Sequence, residues 1–138
     1  MSRSGYSDDC DGWSLIRWRG AVNSAIKGAR GQAFLRELRD ALDTLPEKKL
    51  TPNELEADGE FCALGAVGRQ RGIDMKQIDA EDREAVAKSF GIAEALAAEI
   101  MFTNDDDFCY GWKQETAEVR WSRVRAWVER HIKKPEVA

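Results

Sequence analysis

The sequence predicts an all-α fold: a single compact domain of five or six short helices with at most a minor β element. Three observations carry this expectation. Apolar residues recur at three- and four-residue steps along most of the chain. Glycine, proline and capping residues cut those stripes into helix-length pieces. No alternating apolar–polar run is long enough to build a sheet. The 138 residues suit one domain, since domains most often hold about 100–150 residues.

Residues 1–12 are polar and contain Asp8, Asp9 and Asp11, and they read as a flexible N-terminal arm before a helical domain spanning 13–138. Asp11 is placed to cap the first helix. From Trp13 to Ala29, the residues Leu15, Trp18, Val22, Ala25, Ile26 and Ala29 fall on one helical face. Gly28 and Gly31 end or bend that helix, so an antiparallel partner is expected beyond an Ala29-Arg30-Gly31 turn. The partner carries Phe34, Leu35, Leu38, Ala41, Leu42 and Leu45, and Pro46 stops it.

Thr51-Pro52-Asn53-Glu54 fits a capping box with proline at the first helical position, which predicts a short helix, and Asp58-Gly59 predicts a turn after it. Phe61 to Gly68 is apolar and rich in small residues, and is read as a helix ended by Arg69-Gln70-Arg71-Gly72. Asp79-Ala80-Glu81-Asp82 opens a helix that runs to Phe90, where Gly91 breaks it. Ile92, Leu96 and Ile100 mark another helix to about Phe102, followed by an acidic aromatic loop from Asn104 to Trp112. The last helix covers about Gln114 to Ile132, with Pro135 beyond it.

Charge is unevenly spread. The chain holds 25 acids and 21 bases. Residues 1–39 carry seven bases and four acids, residues 40–111 carry seven bases and seventeen acids, and residues 112–138 again carry seven and four. Two basic ends therefore flank an acidic middle, a pattern that bears on partners more than on fold. No apolar run reaches the roughly 18 residues of a membrane span. Residues 1–6 lack an apolar signal segment, and the three cysteines form no Cys-x-x-Cys, so a reducing cytoplasm is expected.

Catalytic and metal chemistry find little support. His131 is the one imidazole and lies near the end of the last helix, where a cation suits the helix dipole. Cys62 reads as a small buried hydrophobe. Asn104, Asp106 and Glu115 have offsets reminiscent of a calcium loop, but Cys109 stands at the glycine position and Phe108 replaces an oxygen ligand. No metal, cofactor or catalytic residue is assigned. A small acid- or metal-dependent enzyme using Asn104 to Asp107 is the weakest alternative.

Ala87 to Ile92 resembles the turn of a helix-turn-helix, but its second helix, Ile92 to Glu99, offers no Arg, Lys, Asn or Gln to base edges. A nucleic-acid-binding regulator is thus the second alternative. The favoured surface is on the last helix. At 100° per residue, Ala117, Trp121, Val124, Val128 and Ile132 form the core stripe, and Arg120, Arg123, Trp127, Arg130 and Lys134 gather beside it as a partner-binding strip.

Trp18-Arg19-Gly20-Ala21-Val22, Arg30 to Glu37, Leu45-Pro46-Glu47-Lys48, Asn53-Glu54-Leu55, Cys62 to Ala66, Arg71 to Met75, Phe90 to Ala93, Asn104-Asp105 and Arg123 to Trp127 together resemble a family of small uncharacterised proteins encoded by tailed bacteriophages and prophages. The resemblance covers nearly the whole chain and transfers no catalytic residue. It implies a phage accessory protein in the host cytoplasm. With the Trp/Arg strip, this suggests a non-enzymatic protein that binds a host or defence complex, such as an inhibitor of CRISPR immunity.

Overall fold

The computed structural model describes residues 3–4, 12–105 and 115–134, with side chains in the first helix from Ile16 onward. The Asp11 cap, Cys10, Cys109, Asp106 to Trp112, Pro135 and the side chains of Trp13 and Leu15 lie outside the described residues. Six α-helices occur among the described residues: α1 (Gly12–Lys27), α2 (Ala29–Thr44), α3 (Ala63–Arg71), α4 (Arg83–Phe90), α5 (Glu94–Asp105) and α6 (Ala117–His131). A two-stranded antiparallel hairpin, β1 (Glu56–Ala57) and β2 (Glu60–Phe61), is the minor β element. The fold is all-α, as the periodicity predicts. None of the described helices is long and apolar enough to cross a membrane.

α1, α3 and α6 each pack against both α2 and α5, while α4 packs on α5. The core lies among them, with Val22, Leu35, Leu38, Leu42, Leu64, Val67, Val86, Phe90, Leu96, Ile100, Val124 and Val128 at most 1% exposed. Every residue of the α2 stripe is buried. Each such side chain contributes roughly 1.5–3 kcal/mol when fully buried.

The α1–α2 joint is shorter than the expected three-residue turn. Gly28 alone separates the helices, with φ −67° and ψ 158°, and Ala29 belongs to α2. Gly31 sits one turn inside α2, where an added Cβ would stand 1.8 Å from the carbonyl oxygen of Ala25. The glycine is required by backbone contact between the helices and not by a left-handed conformation.

The short helix expected from Thr51 does not form. Asn53 adopts φ 68°, which breaks helical progression. Thr51 N donates to Phe61 O at 2.9 Å instead, tying the segment to the hairpin. The expected Asp58-Gly59 turn is present, with φ 52° and 80° at its two positions, the signs of a type I′ hairpin turn. α3 begins at Ala63 with Cys62 as its cap and ends at Gly72 in the left-handed conformation. Gly91 ends α4 the same way. The α4 cap is Asp82, while Asp79 instead accepts a hydrogen bond from Glu81 N at 3.0 Å.

α5 runs past Phe102 to Asp105, so Asn104 and Asp105 are helical rather than part of a loop. Arg3 and Ser4 also depart from expectation: both are buried on the helical body, so this part of the arm is docked.

Two glycine substitutions are expected to act in opposite directions. Gly20 lies within α1 with open space around its would-be Cβ, so Gly20→Ala should stabilise by about 0.5–1 kcal/mol. Gly31→Ala should destabilise by about 1–3 kcal/mol through overpacking. Urea denaturation midpoints test both; equal shifts of one sign would contradict the backbone contact at Gly31.

Candidate functional site

α6 carries the expected partner-binding residues. It starts at Thr116, whose hydroxyl accepts from Val119 N at 3.1 Å. Its buried residues are Arg120, Val124, Trp127 and Val128, whereas Trp121 and Ile132 are half-buried. The core-facing centre is thus turned by roughly 50° from the stripe expected at 100° per residue. This rotation takes Arg120 and Trp127 out of the proposed strip and into the interior.

Arg120 is 7% exposed, and its Nη1 donates to Leu50 O at 3.0 Å. Its Nε lies 3.4 Å from Glu115 without forming a hydrogen bond. Burial lowers the Arg120 pKa, and Arg123 adds to that effect while Glu115 opposes it. Arg123 is half-buried. It grips Glu115 through Nε and Nη2 at 2.6 and 3.0 Å and donates to the Thr103 and Asn104 carbonyls. It therefore closes the C-terminal end of α5, where a cation satisfies terminal carbonyls and the helix dipole. Trp127 is 6% exposed and its ring lies 4.5 Å from that of His131. His131 Nδ1 donates to Trp127 O at 2.7 Å.

Arg130 and Lys134 remain exposed, and the fold brings them new neighbours. α6 lies antiparallel to α2, as the ion pairs Arg125–Asp43 and Arg39–Glu129 show. At the end of this ladder Gln32 is buried and joins three elements. Its Nε2 donates to Ile26 O at 2.8 Å and His131 O at 2.9 Å, and its Oε1 accepts from Lys133 N at 2.8 Å. Lys133 Nζ then donates to Lys27 O at 2.7 Å. Lys27 and Lys133 thereby meet at one corner, with Arg130 and Lys134, also exposed, beside Lys133 in the chain. None of them is within 4.0 Å of a described carboxylate. One residue of the N-terminal basic block, Lys27, is thus brought against the C-terminal one.

The polar cluster at the C-terminal end of α5 escaped sequence reasoning. Arg3 Nε and Nη2 donate to the two Asp105 oxygens at 2.6 and 2.9 Å, and both side chains are at most 2% exposed. Arg3 Nη1 stands 3.7 Å from Cys62 Sγ, which also accepts from Gly65 N at 3.3 Å. Burial opposes the Arg3 charge, but Cys62 and Asp105 outweigh it and raise the guanidinium pKa. Asp105 Oδ1 accepts from Asn53 N at 3.0 Å and Asn104 Nδ2 at 2.8 Å. Asn104 Nδ2 also donates to Thr51 O, and its Oδ1 accepts from Ala63 N, both at 3.0 Å. A polar pair ending the otherwise apolar Ile92–Phe102 stripe was the available signal; its partners are remote in sequence.

These bonds commit Asn104 and Asp105 to the fold, leaving them poorly placed for the acid or metal chemistry considered for Asn104 to Asp107. Among the described residues, no group of three or more His, Cys, Asp or Glu side chains is arranged to hold a metal. Burial also closes the helix-turn-helix route. α4 and α5 do meet at Gly91, but α5 is buried from Ala95 to Met101 and has no free face for a DNA groove. Glu99 accepts from Arg19 Nη1 at 2.8 and 2.9 Å.

Comparison with models of protein families, with curated proteins and with solved structures found no match. Function is therefore read from the chain's own surface.

Asp105→Ala is expected to lower stability by about 3–5 kcal/mol, the usual cost of breaking a buried ion pair. Arg3→Met should cost less, because Asp105 keeps two amide donors. Chemical denaturation of both variants checks the order; a reversed order would place the main constraint on Arg3.

Proposed function

We propose that this chain is a non-enzymatic binding protein that modulates a host or defence protein complex, acting as a phage accessory protein in the host cytoplasm. The observation that carries this reading is the basic corner of Lys27, Arg130, Lys133 and Lys134. Surface cations without carboxylate partners raise the local potential, which steers an acidic surface into place and increases the rate of encounter. The Gln32 amide holds the backbones of α1, α2 and α6 together beneath these cations, so the charge is presented by a fixed frame.

Arg130 and Lys134 are retained from the partner-binding strip, and Lys27 and Lys133 join them. Arg123 does not join them, because it is engaged by Glu115 and the C-terminal carbonyls of α5. The resemblance to proteins of tailed phages gives the host context, and an inhibitor of an immune system such as CRISPR is one form this activity takes.

The double variant Arg130→Glu/Lys134→Glu alters exposed positions only. In nuclease-treated bacterial cytosol the tagged wild type should retain a protein partner that this variant loses, with helical circular dichroism unchanged. Equal recovery by both chains would refute the assignment. Binding of a duplex DNA that collapses steeply between about 50 and 200 mM salt would favour a nucleic-acid partner instead.

A further inference from the structure

We infer that a second surface, the acidic cleft between the β-hairpin and the segment around Met75, binds a basic protein segment carrying an apolar anchor side chain. This goes beyond the reading of the basic corner, because it concerns a different face and a partner of opposite charge. The cleft holds about 290 Å³ and is lined by Glu54, Leu55, Glu56, Asp58, Met75, Lys76, Ile78 and Ala80. That volume lies just below the roughly 300–1,000 Å³ usual for small-molecule sites, which suits an anchoring side chain.

Its floor and rim differ in chemistry. Leu55 and Met75 are 2% and 7% exposed, and Ile78 and Ala80 are half-buried. Met75 packs closely on Gly68, where a Cβ would stand 2.6 Å from its Sδ. Methionine is adaptable at binding surfaces because its unbranched thioether fits varied shapes. The rim is formed by Glu54, Glu56 and Asp58, all exposed. Asp74, Asp79 and Glu81, also exposed, flank the opposite wall in sequence.

None of these six carboxylates lies within 4.0 Å of a described base. Among the described residues, Asp74 and Asp79 accept only local hydrogen bonds, from Lys76 N, Gln77 Nε2 and Glu81 N. Lys76 is the one cation lining the cleft among the described residues, and its side chain is paired with no described carboxylate. Like charges crowded around an apolar floor repel one another, and a cationic segment relieves that repulsion while covering the floor. Lysine and arginine stems also pack on apolar surface with their charges at the rim. Charge complementarity thus selects a basic occupant, and the apolar floor selects one that brings a hydrophobic side chain.

The test titrates the full chain with a fluorescent peptide alternating lysine and leucine and a control in which serine replaces leucine, both read by fluorescence anisotropy. The leucine peptide should bind at least tenfold more tightly than the control. Glu54→Lys/Glu56→Lys should weaken it at least tenfold, and so should Ala80→Phe, which fills the cleft without changing charge. Circular dichroism verifies folding, and the two surface charge reversals provide a readout should Ala80→Phe misfold. Equal binding of both peptides, or binding indifferent to the charge reversals, would overturn the proposal. Self-association abolished by the same variants in sedimentation would also overturn it, in favour of a second copy of this chain.

Discussion

The Asp105 carboxylate is the interaction on which the irregular half of this molecule depends. It ends α5, receives Arg3 from the N-terminal region and accepts the amide of Asn53. Through Asn104 the same helix end fixes Thr51 and the first amide of α3. A buried carboxylate is tolerated only when its lone pairs are satisfied and its charge is matched. Here those conditions recruit segments that have little regular structure of their own. The stretch from Leu50 to Cys62 keeps its course because its backbone groups find side-chain partners on α5 and backbone partners on the hairpin and α6.

Local patterns made much of the helical frame legible. The α2 stripe, the Gly72 and Gly91 stops and the Asp58-Gly59 turn all follow from periodicity or from the conformational freedom of single residues. Thr51-Pro52-Asn53-Glu54 misleads for a physical reason: a capping motif supplies one turn of preference, and long-range bonds to Phe61 and Asp105 outweigh it. The α6 face misleads for a related reason. Hydropathy places arginine outside, yet Arg120 and Arg123 are drawn inward by Leu50, Glu115 and the carbonyls at the end of α5. Composition cannot disclose such pairings, because each depends on which backbone groups the remainder of the fold leaves unsatisfied.

The candidate surfaces show the same division. Sequence blocks revealed the sign of the charge, whereas only the fold brings Lys133 of the C-terminal block against Lys27 of the N-terminal one. Burial of Trp127 removes the aromatic centre of the expected strip but does not dissolve its outer cations. The acidic middle divides too: Glu99 and Asp105 serve the interior, while Glu54, Glu56 and Asp58 remain on a cleft rim. Acidic residues that look equivalent along the chain therefore have separate duties, distinguished by their neighbours.

The separation of Arg3 from Asp105 has a consequence for synthesis. They stand 102 residues apart, and translation at about 5–20 residues per second delivers the second partner roughly 5–20 s after the first. The α1–α2 pair and α3 can collapse within that interval, since local helical contacts form far faster. Until Asn104 and Asp105 are made, the backbone groups of Thr51 and Asn53 lack their α5 partners and are left to water. Closure of the polar cluster waits for the end of α5, and the core is completed only when α6 follows it.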